Sequence, residues 1–138
     1  MKFLNYVFSL IFLSFSFQLS AEVFKVHNEE LINLLNKGVP IIDIRTEEEW
    51  TDTGVIEDSE LITFFDTQGN FDINSWMSNL EKVANKNEPV ILICRSGRRS
   101  NLVATFLSAQ ANYVTVFDAT GGMNSWIKSG NTTVKPKL

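Results

Sequence analysis

Cysteine and histidine are almost absent from this chain, which has one of each among 138 residues. Because Cys94 has no second cysteine to pair with, we expect no internal disulfide and no thiol exchange with a resolving cysteine of the same chain. The single histidine, His27, is far from Cys94 in sequence and stands at the start of a predicted helix. We therefore expect His27 to be a surface or capping residue, and we do not expect a Cys/His catalytic pair.

Basic residues are also in the minority. Lys and Arg total 12 against 16 Asp and Glu, which gives a formal net charge of −4. An acidic surface argues against nucleic acid and anionic lipid as partners. The sequence contains no repeat, low-complexity tract or interdomain linker, and its length suits one domain with its own hydrophobic core.

Charge is missing altogether between Lys2 and Glu22, where residues 7–17 are apolar and rich in phenylalanine. This segment is short for a membrane span, and small residues lead up to Ala21. We predict a signal peptide over residues 1–21 that is cleaved after Ala21. The protein would then be periplasmic or otherwise exported, with no stable membrane association; a retained membrane anchor is the alternative.

The one cysteine stands where a predicted strand meets a cationic loop. The apolar run 90–93 is typical of a strand buried on both faces, which places Cys94 at its carboxyl end, where ligands gather in open α/β sheets. Residues 100–111 have helical spacing, so the loop leads into the amino terminus of a helix, whose free N–H groups attract anions.

Three arginines lie within five residues of this loop: Arg95, Arg98 and Arg99. Gly97 allows the loop to curl so that its N–H groups point toward the sulfur. Both features favour a thiolate, so we interpret Cys94 as a reactive cysteine rather than a small buried hydrophobic residue.

Apolar runs and helical patterns alternate along the rest of the chain, which predicts an α/β fold with a parallel sheet. The predicted strands are residues 23–26, 41–44, 61–64, 90–93 and 113–117, and the predicted helices are 28–37, 46–51, 74–85 and 100–111. The tryptophans Trp50, Trp76 and Trp126 are expected to pack in the core or dock helices. Residues 65–74 are expected to form a surface loop that overhangs the site.

Residues 94–100, Cys-Arg-Ser-Gly-Arg-Arg-Ser, resemble the active loop of the rhodanese-like family of sulfurtransferases, of the single-domain thiosulfate sulfurtransferase type. The segment Asp43-Ile44-Arg45 with the glutamate-rich turn after it, and Gly121-Gly122 with Trp126, resemble two further motifs of that family. The likeness covers residues 22–128, and we place the domain at 22–130 and a loose tail at 131–138. Residues 54–59 depart from the family pattern, since they lack its histidine and second glycine.

The resemblance implies a rhodanese-like fold, a parallel central sheet with helices on both faces. It implies that the Cys94 thiolate takes a sulfur from a small anionic donor such as thiosulfate and passes it, as a persulfide, to cyanide, a thiol or a protein thiol. No cofactor and no metal are needed for this chemistry. Within the loop, Arg95, Ser96, Gly97, Arg98, Arg99 and Ser100 are the expected substrate-binding residues.

Individual roles in the loop differ. Arg99 is the preferred ligand for the substrate anion because it matches the family's arginine, whereas Arg98 occupies a variable position and points to solvent or to substrate. Ser100 is expected to cap the helix that follows. Asp43 and Arg45 are expected to support the site, and Arg45 is expected to pair with the glutamates after it.

Two other classes of function stay open. The first is a non-catalytic persulfide relay or protein-binding module. The second is a cysteine-based phosphatase or arsenate reductase, which wraps an oxyanion between a cysteine and an arginine separated by five residues. Here Ser100 occupies that arginine position, and Arg99 comes one residue early.

Overall fold

Five parallel strands form the central sheet of residues 22–138, the part of the chain that this computed structural model describes. The strands are β1 (Glu22–Val26), β2 (Ile41–Asp43), β3 (Glu60–Leu61), β4 (Val90–Ile93) and β5 (Thr115–Ala119). Their spatial order is β1-β5-β4-β2-β3, and every pairing is parallel. The predicted signal peptide lies outside the described residues.

Five helices connect these strands: α1 (Asn28–Asn36), α2 (Glu47–Thr53), α3 (Ile73–Glu81), α4 (Arg98–Ala109) and α5 (Gly122–Lys128). Between residues 22 and 138, none of the helices is long and apolar enough to span a membrane.

Two hydrophobic clusters, one on each face of the sheet, form the core. Alternate residues of β4 point to opposite faces, so Leu92 joins one cluster while Ile91 and Ile93 join the other. The first cluster is covered by α3 and α4, and the second by α1 and α5. The predicted arrangement, a parallel sheet with helices on both faces, is confirmed, and all three tryptophans are buried as expected.

Several element boundaries differ from the sequence prediction. Helix α3 was predicted to reach residue 85 but ends at Glu81, because the N–H groups of Val83 and Ala84 both return to the Leu80 carbonyl and an Asn85 turn follows. Strand β5 begins two residues later than predicted, because the Tyr113 backbone N–H bonds the Leu107 carbonyl at the end of α4.

Helix α5 was not predicted, and the tail after it is not loose along its whole length. Val134 exchanges two backbone hydrogen bonds of 2.9 Å with Val55, and the Trp126 indole N–H donates to the Thr132 carbonyl at 2.9 Å. These contacts hold the chain after α5 against the segment that follows α2.

Candidate active site

The Cys94 sulfur lies at the carboxyl end of the central strand β4, inside the loop that leads to α4. Its Sγ accepts hydrogen bonds from the backbone N–H of Gly97 at 3.2 Å and of Ser100 at 3.3 Å. The loop can turn this tightly because Gly97 has a left-handed conformation, with φ +92°. The Cys94 side chain is fully buried, so these two N–H groups, rather than water, are the donors that face its sulfur.

Helix α5, which follows the neighbouring strand β5, holds this loop in place. The Met123 N–H donates to the Cys94 carbonyl and the Asn124 N–H to the Arg95 carbonyl, each at 2.9 Å. Gly122 makes this approach possible, because a Cβ there would collide with the Cys94 carbonyl oxygen and lie 2.7 Å from the Arg95 carbonyl carbon. The glycine pair that the sequence showed is therefore the contact between α5 and the loop.

Ser100 contacts the Cys94 sulfur and does not cap α4. The helix begins two residues earlier than predicted, with Gly97 as its N-cap, so the expectation that Ser100 caps the helix is wrong. Its Oγ accepts a 3.3 Å hydrogen bond from the Cys94 thiol and donates a 2.6 Å hydrogen bond to the carboxylate of Asp118 on β5. Ser100 is fully buried, which makes it a partner of the sulfur rather than a surface on which substrate rests.

Arg99 forms a two-pronged ion pair with Glu49 of α2. The Arg99 Nη1 and Nη2 atoms lie 2.8 and 2.6 Å from the two Glu49 carboxylate oxygens. The hydrogen bond from Arg99 lowers the pKa of Glu49 to about 2, and the ion pair raises the pKa of Arg99. The arginine predicted to bind the substrate anion is thus already paired with a carboxylate in this structure.

Asp43 and Arg45 form a buried ion pair at the end of β2, and Arg45 lines the same small pocket as Arg95. The Arg45 Nη2 lies 2.7 Å from Asp43 Oδ2, and both side chains are at most 1% exposed. Arg45 also donates to the Thr53 hydroxyl and to the Gly54 carbonyl, which ties the end of β2 to the end of α2. The expectation that Arg45 pairs with the following glutamates is wrong, because its ionic partner is Asp43 and it reaches only the Glu49 backbone carbonyl.

The remaining loop residues face the solvent. Arg95, Ser96 and Arg98 are exposed, and within residues 22–138 neither of these two arginines forms a salt bridge. Arg95 borders a small pocket of about 130 Å³ beside the loop, together with Glu49 and Met123. The exposed positive charge at the entrance therefore comes from Arg95 and Arg98.

Sequence reasoning missed two residues of this site, Glu49 and Asp118. Glu49 was recognised only through the capping box with Thr46, which the structure confirms, and its second partner Arg99 is 50 positions away along the chain. Asp118 had one visible signal, since it is the single charged residue of its strand. The predicted surface loop follows β3 but ends before Ile73, where α3 begins, and that it overhangs the site stays a prediction. The Asp66 carboxylate holds this loop, and hydrogen bonds from Asn70 lower the pKa of Asp66.

A buried cysteine at the end of a central parallel strand, with two loop N–H groups directed at its sulfur, is the defining feature of this α/β domain. The rhodanese-like domain family matches residues 27–129 of this chain. The chain therefore belongs to the rhodanese-like domain family, as its loop sequence predicted.

Three single proteins are similar to this chain. A rhodanese-like domain protein of Staphylococcus aureus has 30% identity and a TM-score of 0.61, with 83% of this chain and 99% of that chain covered. The polysulfide-sulfur transferase homodimer of Wolinella succinogenes shares the fold, with 18% identity, a TM-score of 0.63 and coverage of 86% of this chain and 83% of that chain. The uncharacterized protein RP600 of Rickettsia prowazekii is 29% identical over 93 residues, which are 64% of this chain and 72% of that protein.

The family includes sulfurtransferases that act on sulfur donors and acceptors, and it also includes many non-catalytic members. Membership therefore shows that this chain is a rhodanese-like domain, and its single cysteine is Cys94.

Proposed function

We propose that this protein is a sulfurtransferase that moves sulfane sulfur from thiosulfate or a similar small anion to a thiophilic acceptor through a Cys94 persulfide. The observation that carries the proposal is the pair of N–H groups, from Gly97 and Ser100, directed at the Cys94 sulfur. These donors stabilise negative charge on sulfur both before attack and in the persulfide.

The reaction needs two displacements at sulfur. In the first, the Cys94 thiolate attacks the outer sulfur of thiosulfate, a new S–S bond forms, and sulfite leaves with the electron pair of the broken S–S bond. In the second, a nucleophile such as cyanide or a thiolate attacks the outer persulfide sulfur, and Cys94 leaves as a thiolate. The single cysteine is sufficient, because neither step needs a second thiol from the same chain.

The exposed arginines add positive charge beside the loop, and Arg99 adds a fixed charge closer to the sulfur. Arg95 and Arg98 border the loop without a carboxylate partner among residues 22–138, so they raise the local concentration of anions on a protein whose net charge is negative. Arg99 is anchored by Glu49 and contributes a fixed positive charge near the sulfur.

Intact mass spectrometry with thiosulfate and then cyanide tests the proposal. The reduced chain, produced without residues 1–21, should gain one sulfur, about 32 Da, and should lose it to cyanide as thiocyanate accumulates over many turnovers. Loading without turnover would support a persulfide relay that awaits its own acceptor. If the mass does not change and phosphate ester or arsenate is consumed instead, the oxyanion-enzyme alternative replaces the proposal.

Replacement of the nucleophile is the matched control. Cys94→Ser removes the sulfur but keeps a small polar side chain that can accept the same two N–H hydrogen bonds. We expect sulfur loading and thiocyanate formation to disappear while the circular dichroism spectrum is unchanged. Activity retained by Cys94→Ser would contradict the mechanism.

We also propose that the chain is exported, on the basis of the apolar, uncharged segment before Glu22. Expression of the full chain in a Gram-negative host, followed by osmotic shock and amino-terminal sequencing, should give a soluble form that begins at Glu22. A full-length chain in the membrane fraction would instead support a retained anchor, and a full-length chain in the cytosol would contradict export.

A further inference from the structure

Asp118 is a buried carboxylate that the sulfur-transfer steps do not use. It lies on β5, is 3% exposed, and has no salt-bridge partner within residues 22–138. Its two carboxylate oxygens accept hydrogen bonds from the Ser100 hydroxyl at 2.6 Å and from the Asn101 side-chain amide at 3.2 Å. A buried carboxylate that lacks a cation is costly, and this one is one hydroxyl away from the nucleophile.

We propose that Asp118, acting through Ser100, keeps the resting Cys94 sulfur protonated and so sets the pH above which the nucleophile is present. Asp118 is a positioning residue in this proposal, because it touches Ser100 and not the sulfur. The control of sulfur ionisation stands on geometry alone, whereas its consequence for sulfur transfer rests on the function proposed above.

The hydrogen of the Ser100 hydroxyl can be given to Asp118 or to the Cys94 sulfur, but not to both. A serine hydroxyl has one hydrogen to donate, and the 2.6 Å distance to Asp118 shows where Ser100 directs it. The Ser100 oxygen therefore presents a lone pair to Cys94 at 3.3 Å, which suits a thiol that donates its hydrogen. A thiolate at Cys94 would keep the two backbone N–H donors but could not receive the hydroxyl hydrogen while Asp118 holds it, and the nearby carboxylate also repels a second negative charge.

Other charged groups surround the Cys94 sulfur. They either oppose the effect of Asp118 on its protonation or leave that effect unchanged. Arg99 on α4 favours negative charge on the sulfur and is itself held by Glu49 of α2. Within residues 22–138, further charged groups near the site are the Asp43–Arg45 pair at β2, Asp52 of α2, the exposed Arg95 and Arg98, and the exposed Lys25 of β1, which is in register with Asp118 of β5.

Alkylation of the sulfur tests the proposal directly. Because Cys94 is the only cysteine, the rate of modification by iodoacetamide reports on this sulfur alone. The rate should be measured between about pH 5 and pH 10 for the wild type and Asp118→Asn. The new amide would donate to the Ser100 oxygen, and the hydroxyl hydrogen would then turn to the sulfur. We expect half-maximal alkylation at lower pH, with a rate roughly tenfold faster than wild type on the acid side.

A double-mutant cycle identifies the route. Without the hydroxyl, in a Ser100→Ala background, Asp118→Asn should produce a much smaller displacement of the profile. An equal displacement in both backgrounds would overturn the route through Ser100. A profile for Asp118→Asn that is unchanged, or displaced to higher pH, would overturn the proposal as a whole.

Asn101→Ala tests the same hydrogen-bond chain from Asp118 through Ser100 to Cys94 if the Asp118→Asn variant does not fold. Loss of the Asn101 amide leaves the carboxylate to draw the Ser100 hydrogen more strongly, so half-maximal alkylation should move to higher pH. An unmoved or lowered profile would contradict the proposal. None of these measurements uses a sulfur donor, so they remain decisive even if the chain does not transfer sulfur.

Discussion

Arg99 is both a charged group near the sulfur and a link between two helices. Its guanidinium is bound by both oxygens of Glu49, and this two-pronged geometry fixes its position between α2 and the start of α4. Arg98, the preceding residue, is exposed and has no such partner among residues 22–138. The two arginines are therefore expected to differ in both activity and stability when they are removed.

We predict that Arg99→Ala lowers thiosulfate turnover by roughly 10- to 100-fold, because it removes a fixed positive charge and leaves the Glu49 carboxylate facing the donor. Arg98→Ala removes only an exposed charge, so it should lower turnover by less than about threefold. Steady-state thiocyanate formation by both variants, at low and at high salt, provides the comparison. Equal losses would refute this ranking of the arginines.

Glu49 gives a pH dependence with a defined sign. Its pKa falls from 4.5 to about 2 on pairing with Arg99, so the pair stabilises the fold above pH 4.5 and this contribution is lost as the pH falls toward 2. About a quarter of each side chain is exposed, so solvent screening reduces the contribution to about 1–2 kcal/mol.

We predict that Glu49→Gln lowers the free energy of unfolding by that amount at pH 7 and that the difference from wild type fades toward pH 2. Urea denaturation over this pH range measures both values. A difference that is constant with pH would show that packing, rather than the ion pair, is responsible.

At the scale of elements, the active loop depends on a helix from the opposite face of the sheet. Helix α5 reaches the loop only because Gly122 lacks a Cβ, so the second glycine of the Gly121-Gly122 pair is required by the close approach of two backbones. We predict that Gly122→Ala displaces the loop, destabilises the domain by about 2–4 kcal/mol and abolishes most sulfur loading.

Gly38→Ala is the matched control for this prediction. Gly38 also has a positive φ, +78°, but a Cβ there would meet nothing within 4 Å. The alanine should therefore cost about 1–2 kcal/mol through backbone strain and leave the sulfur-loading rate unchanged. Thermal unfolding and loading kinetics of the two variants separate strain from collision; equal behaviour would argue against the role of α5.

The same elements show which local patterns are reliable in this sequence. Strand β4 has the predicted limits because four apolar residues between Pro89 and Cys94 leave no choice of register. The capping box correctly predicted the start of helix α2, because both hydrogen bonds of the box lie within four residues. The start of α4 was misplaced because its N-cap is a left-handed glycine without a capping side chain, and Ser100 is used by the sulfur and Asp118 instead.

At the scale of the whole molecule, the chain after α5 closes the domain. Val134 pairs with Val55, and Thr132 accepts the hydrogen bond of the buried Trp126. We predict that truncation after residue 130 lowers the free energy of unfolding by about 2–3 kcal/mol, since these hydrogen bonds are lost and Trp126 becomes exposed.

Truncation after residue 135 keeps all of these contacts and is the control. Urea denaturation followed by tryptophan fluorescence measures both truncations. If the chain that ends at residue 130 is as stable as the chain that ends at residue 135, the segment contributes nothing to the fold.

The sequence by itself determined the fold class, the buried strand, the position of the single cysteine and the family, because each of these is encoded by residues close together in the chain. The run from Val90 to Ser100 contains the strand, the sulfur and the loop that surrounds it. Only the tertiary structure decided the partners of that loop: Glu49 for Arg99, Asp118 for Ser100, and Gly122 for the Cys94 carbonyl. These partners come from α2, β5 and α5, which the parallel sheet brings to one edge, and no local pattern specifies which side chains meet there.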